Sequence, residues 1–330
     1  MTAAGAYQGP PELTWHRMLT DWHADPALLI TLALLTAAYL VAVRRTRRRG
    51  HRWPWSRSAA LTATLASLLL ATESFIGAYA DILFWVRAVQ LTALFMVVPL
   101  FLALVRPLTL VGTLLPPAGA ARARRALHSR PARLLAHPAT GAVLFMGLPW
   151  VVFFTGWLPA MLRSPATDIA SGTLLIAVGF LYYWSRLQHD PVPTAYSPVV
   201  SLFLAFAEIL LNAVLGLCLI YAMGVGIAAD YYTALARPWG RPLSEDIQVG
   251  GGAYWILGHA VGVPFLALVF RQARRHDRRT AATIDTHLAA HVPEGASPDH
   301  MRPWWETDPA VAHLGLNTPS TGTAAGTGHK

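Results

Sequence analysis

Seven stretches of this 330-residue chain are apolar for about twenty residues each, and that pattern constrains the fold more than any other feature. A helix needs about twenty largely apolar residues to cross the hydrocarbon core of a bilayer. The runs are Pro26–Val43, Ala59–Tyr79, Ile82–Val105, Thr140–Leu162, Ile169–Leu187, Pro198–Ile227 and Gly250–Phe270. They predict an all-α, polytopic membrane protein, a bundle of about seven transmembrane helices. Charged residues make up 13% of the chain, roughly half the share in soluble domains, and this argues against a soluble enzyme. The single cysteine, Cys218, excludes an internal disulfide and any CxxC motif.

The arginines set the expected topology. Asp21 and Asp25 precede the first run, and Arg44, Arg45, Arg47, Arg48 and Arg49 follow it. A signal peptide has the opposite order, with basic residues first. Nineteen arginines fall at 44–58, at 106–138, at Arg186 and just after the last run, all on one side of a seven-span topology. Four fall on the other: Arg17, Arg163, Arg237 and Arg241. The positive-inside rule then places the N-terminus outside and the C-terminus in the cytoplasm. It also absorbs most of the net charge of +9, which would otherwise suggest nucleic-acid binding. The expected division is an extracytoplasmic segment 1–25, a seven-helix membrane domain 26–284 and a disordered cytoplasmic tail 285–330. The tail has little apolar surface apart from Trp304 and Trp305. Near-exclusive use of arginine over lysine points to a GC-rich bacterial genome, hence a bacterial plasma membrane.

Ionisable and amide groups inside a span are costly, so each is a candidate for function. The intramembrane polar cluster read from the sequence is Glu73, Arg87, Gln90, Glu208, Asn212 and His259. Arg87 requires an anion inside the bilayer; Glu208 is the first expectation and Glu73 the second. Of thirteen histidines only His259 lies in a span, while His16 and His23 flank Met18 before the first helix. His16, Met18, His23 and His259 are therefore the weak candidates for metal binding. The sequence offers no nucleophile–base pair and no cofactor motif, so no enzyme is expected.

Six segments, in order, carry a family resemblance. They are RRTRRRGHRWPWSR (Arg44–Arg57), GAYADILFWVRAVQ (Gly77–Gln90), Pro99 with RPLTL (Arg106–Leu110), GFLYYWSRLQHDPVP (Gly179–Pro193), LNAVLGL (Leu211–Leu217) and DIQVGGGAYWILG (Asp246–Gly258). With these, residues 14–285 resemble the CtaG-type integral-membrane cytochrome c oxidase assembly factors, a seven-span family linked to copper-containing terminal oxidases. The resemblance implies oxidase subunits as partners and copper as the handled metal. It also implies a His-Met-x-x-His-Met element in the third span, where this chain has Arg87-Ala88-Val89-Gln90-Leu91-Thr92. The family's fifth-span histidines fall in Ser171-Gly172-Thr173-Leu174, and its sixth-span histidine falls on Asn212. No implied intramembrane ligand is retained, and no copper ligand carries over.

The reading is a membrane-embedded assembly factor acting by protein contact, with lipid and oxidase subunits as partners, no nucleic acid, and no cofactor beyond the copper that the resemblance implies. The alternatives are a copper chaperone or transporter using other ligands, and a non-metal membrane module. Topology is open to direct test. Reporter fusions after Arg57 and after Arg279 should both report cytoplasm, and one near Asp230 should report the outside. An external signal at Arg57 would overturn the orientation.

Overall fold

The computed structural model describes residues 7–193, 198–222 and 226–290. Among them every regular element is helical. The chain divides into two units, 1–274 and 275–330; in the second, the described residues 275–290 are helical. The helices are α1 (Trp15–Thr20), α2 (Pro26–Arg48), α3 (Trp55–Thr72), α4 (Phe75–Tyr79), α5 (Phe84–Thr92), α6 (Val98–Val105) and α7 (Pro107–Leu114). They continue as α8 (Pro117–Leu127), α9 (Arg130–Leu135), α10 (Pro138–Phe154), α11 (Trp157–Arg163), α12 (Pro165–Leu187), α13 (Pro198–Leu217), α14 (Ala229–Ala234) and α15 (Leu243–Ala290). Among the described residues six stretches are long and apolar enough to cross a membrane, and a bent pair brings the total to as many as seven. This is a multi-pass membrane protein.

Helix starts follow ordinary capping chemistry. Asp25 accepts hydrogen bonds from the backbone N–H of Ala27 (2.8 Å) and Leu28 (3.4 Å), and Pro26 occupies the first turn of α2. The same helix ends on Arg45, Arg47 and Arg48, where cations meet the negative end of its dipole. It therefore runs past the apolar boundary expected at Val43, because hydropathy marks the lipid-covered width and not the helix end. Leu29, Ile30, Leu34, Leu35 and Leu40 of α2 are exposed, as suits a helix facing acyl chains.

Three spans differ from the sequence reading; in the sixth, a π turn at Cys218–Ala222 follows α13. The run 140–162 is not one helix: α10 and α11 meet at a 68° bend. Thr155 is extended there (φ −122°, ψ −177°) and Gly156 follows. Thr155 Oγ1 donates back to the Val151 carbonyl (2.6 Å), and accepts from Trp157 N (3.2 Å) to start α11. The run is apolar throughout, so hydropathy cannot show the break. The third span carries a π turn at Ala93–Val97 between α5 and α6. Pro99 has no N–H to offer the Phe95 carbonyl four residues earlier, and a missing donor is a common cause of such a turn. At the other end of the chain α15 runs to Ala290, beyond the expected start of the tail at Asp285; residues 291–330, with Trp304 and Trp305, lie outside the described residues.

The core forms around the π turn of the third span. Phe95 stacks on Phe145 of α10 (4.3 Å between centroids), Phe145 stacks on Tyr182 of α12 (3.9 Å), and Phe265 of α15 meets Tyr183 edge-on (4.9 Å). Gly179 of α12 lies flat against the turn. A Cβ there would stand 2.2 Å from the Phe95 carbonyl oxygen and 2.5 Å from Pro99 Cγ. Helices approach this closely in membranes only through small residues. Gly179→Val should therefore force α12 away from the third span and lower membrane accumulation several-fold by immunoblot. Gly147→Val, where a Cβ meets nothing within 4 Å, is the control. Normal accumulation of Gly179→Val would contradict this packing.

Candidate functional site

The six polar residues expected to form one intramembrane cluster are divided among separate sites. At the arginine-poor end of the bundle, the Arg87 guanidinium is 1% exposed. It pairs with Asp168 in the first turn of α12: one terminal nitrogen hydrogen-bonds Oδ1, and the other lies 3.4 Å from Oδ2. That second nitrogen also donates to Gln90 Oε1 (2.8 Å) and stands 3.7 Å from Asp81. Gln90 in turn donates to the Ala71 carbonyl of α3 (3.0 Å). Arg87 thus joins α5 to α12, and Gln90 joins α5 to α3.

This corrects the partner expected for Arg87. Arg87 is the fourth residue of α5, about 4–5 Å along its axis, whereas Glu208 is about 15 Å into α13. Asp168 starts its helix at the same end as Arg87, so the depths agree. Glu73 is committed elsewhere. It ends α3, and its Oε2 accepts from Asp25 N (2.6 Å) while its carbonyl accepts from His23 N (2.9 Å), which fixes the loop before α2.

Midway through the bundle the Tyr182 hydroxyl donates to Glu208, and Arg186 stacks on the Tyr182 ring at 4.2 Å. One turn along α13, Asn212 accepts from the Tyr254 hydroxyl of α15 and turns its amide nitrogen to Met96 Sδ (3.8 Å). Gly258 makes room for that amide, since a Cβ there would stand 2.9 Å from it. Between Glu208 and Asn212 lies an enclosed cavity of about 10 Å³, at the lower limit for one water molecule. His259 is apart from both groups. Its Nδ1 bonds the Trp255 carbonyl of its own helix (2.8 Å).

The candidate metal residues are not gathered. His16 and His23 are exposed near the N-terminus, and Met18 lines a cavity with Trp85 and Trp239. Among the described residues no group of three or more His, Cys, Asp or Glu is placed to hold a metal ion.

Two carboxylates that the sequence reading passed over do structural work of the same kind. Asp246 of α15 accepts from Phe84 N (2.9 Å) and stands 3.8 Å from Arg237, so it caps α5 from a distant part of the chain. Asp190, just after α12, accepts from the backbone N–H of Leu108 (3.1 Å) and Thr109 (2.9 Å) and caps α7. These helices start at Leu83 and Arg106, neither of which supplies a side-chain cap. A helix start left without acceptors inside a membrane protein is costly, so the acceptors come from elsewhere. Both carboxylates lie in the segments that carry the family resemblance, and so do the groups they cap.

A model of the cytochrome c oxidase caa3 assembly factor family matches residues 37–276. The chain belongs to that family. Uncharacterized proteins of Mycobacterium bovis and Mycobacterium tuberculosis are each 30% identical to it over 288 residues, which is 85% of this chain and 43% of theirs. An uncharacterized protein of Mycobacterium leprae is 27% identical over 285 residues, 84% of this chain and 43% of its own. The chain therefore spans less than half the length of these relatives. No solved structure matches it.

Copper, the metal implied by the resemblance, does not fit the residues present at the matched positions. A Cu(I) site takes thiolate, thioether or imidazole donors. Here Arg87 is a permanent cation bound to a carboxylate, Ser171 accepts from Trp157 Nε1 (2.9 Å), and Asn212 is bonded to Tyr254. Met96 is a soft donor beside them, held by the Asn212 amide, and Met146 lines the cavity next to Asn212.

The ion pair carries an asymmetric prediction. Removing Asp168 leaves a buried guanidinium with the neutral Gln90 amide and, as counter-charge, only Asp81 at 3.7 Å, and stranding a buried charge costs about 3–5 kcal/mol. Removing Arg87 leaves Asp168, which is 37% exposed and keeps access to water, so the cost is smaller. Asp168→Leu should lower the melting temperature in detergent more than Arg87→Leu, and the double variant should recover much of the Asp168→Leu loss. Additive losses in the double variant would show that the two do not pair.

Proposed function

We propose that this member of the caa3 assembly-factor family acts as a membrane scaffold that holds cytochrome c oxidase subunits during assembly, by protein contact and without copper handling at the positions the family uses. The N-terminus faces outside and the C-terminus the cytoplasm. The observation that carries this reading is what occupies the matched positions. Arg87, Gln90, Ser171 and Asn212 each bond a different helix, namely α12, α3, α11 and α15. A set of metal ligands must leave donors free to meet one ion. These groups spend their hydrogen bonds on fixing neighbouring spans.

The remaining features support contact over chemistry. Glu208 and Asn212 face a cavity with room for little more than one water molecule, too small for a substrate. The exposed apolar faces of α2 and α13, with Leu34, Leu35, Phe203 and Phe206, suit acyl chains or the spans of a partner equally.

Deletion of the gene in a strain lacking any paralogue should lower assembled oxidase several-fold, read from its haem absorbance in membranes, with oxidase transcripts unchanged. Complementation by the wild-type chain and by His259→Ala should restore it equally. Normal oxidase in the deletion strain would sink the assembly role. Failure of His259→Ala, together with stoichiometric copper in the purified wild-type protein, would favour copper delivery through other ligands.

A further inference from the structure

At the arginine-rich end of the bundle, the start of α3, the end of α6 and the loop after α12 line an open groove of about 530 Å³. One wall is apolar, made by Ala59, Ala60, Ala63, Phe101 and Leu104. The other end carries Arg57, Arg106 and His189.

These cations differ from the exposed arginines of the neighbouring loop. Arg57 is partly buried and stacked on the Trp53 ring at 4.3 Å, and Trp53 is itself pinned by a hydrogen bond from its Nε1 to the Tyr39 hydroxyl (2.9 Å). Arg106 is held at a left-handed residue (φ 61°) where α6 gives way to α7. Among the described residues neither guanidinium has a carboxylate partner or a side-chain hydrogen bond. The adjacent carboxylate, Asp190, is committed to the N-terminus of α7. The Nδ1 of His189 is buried and has no hydrogen-bond partner among the described residues. Burial lowers the pKa of His189, and the charge of Arg106 pushes it the same way against the pull of Asp190.

Two cations without carboxylate partners, beside an apolar wall with a column of alanines, match an amphiphile with an anionic head. We infer that this groove binds an anionic phospholipid, its phosphate between Arg57 and Arg106 and an acyl chain along Ala59, Ala63, Phe101 and Leu104. Guanidinium and phosphate form charge-assisted hydrogen bonds, and basic pockets between helices at the cytoplasmic face recognise such headgroups. A free phosphate would satisfy the cations and leave the apolar wall uncovered. The inference does not depend on the oxidase role.

The test uses the full chain in detergent, with native mass spectrometry of retained adducts after adding phosphatidylglycerol, phosphatidylcholine or millimolar inorganic phosphate. Phosphatidylglycerol should be retained well above phosphatidylcholine. Arg57→Gln and Arg106→Gln should each weaken retention about tenfold, the scale of one lost hydrogen bond to a charged group. Arg52→Gln, on an exposed arginine of the same loop, should leave it unchanged. Equal retention of phosphatidylcholine, or an equal loss in Arg52→Gln, overturns the proposal. Displacement of the lipid by inorganic phosphate assigns the groove to the free anion and also overturns the proposal. For a variant that fails to fold, the unmodified chain gives the deciding measurement. Phosphatidylglycerol with a photoreactive acyl chain should label residues 59–63 or 101–104, and labelling confined to other segments overturns the site.

Discussion

Arg87 is a permanent cation that is 1% exposed in the third span, and much of the arginine-poor half of the bundle is arranged to make that tolerable. Asp168 supplies the main counter-charge from α12, Asp81 adds a longer contact, and Gln90 carries the network to α3. The same requirement recurs wherever a helix starts against other helices. Asp246 caps α5 and Asp190 caps α7, each across more than eighty residues of chain. Nonpolar contact alone gives helices in lipid little reason to choose one partner over another, because lipid tails are as apolar as leucine. Cross-helix polar bonds and close glycine contacts supply that choice here.

The family segments take on meaning in this light. Gly179 meets the π turn that Pro99 allows, and Gly251 lies against Leu219 and the Gly216 carbonyl. Asp190 ties the end of one segment to the RPLTL helix, and Asp246 ties another to Phe84. Arg47 and Arg49 bond the Trp53 and Thr113 carbonyls, so even the arginine-rich loop is partly a joint. The segments by which the chain resembles its family are largely the places where one helix is attached to another. Arg87, Gln90, Ser171 and Asn212 belong to the same set of attachments between helices.

The sequence made the helices legible because a twenty-residue apolar run has one structural outcome in a membrane. It made the attachments much less legible. Asp168 lies just outside the apolar window Ile169–Leu187 of its span, whereas Glu208 and Glu73 lie inside theirs. Depth alone would have found it, since Arg87 and Asp168 both stand within a turn or so of the same end of their helices. Tyr182 and Tyr254, which bond Glu208 and Asn212, read as interface or core aromatics until their hydroxyls are seen. The bend at Thr155–Gly156 was hidden by uniform apolarity, with Pro149 and Gly156 as its only signs.

The central claim is that cross-helix polar bonds at the matched positions, and not a bound metal, hold this bundle together. The most direct measurement is the melting temperature of the full chain in mild detergent, as purified, after copper(I) chelation and after copper(I) addition. The account predicts the same value in all three states. A clear fall on chelation that copper restores would contradict it.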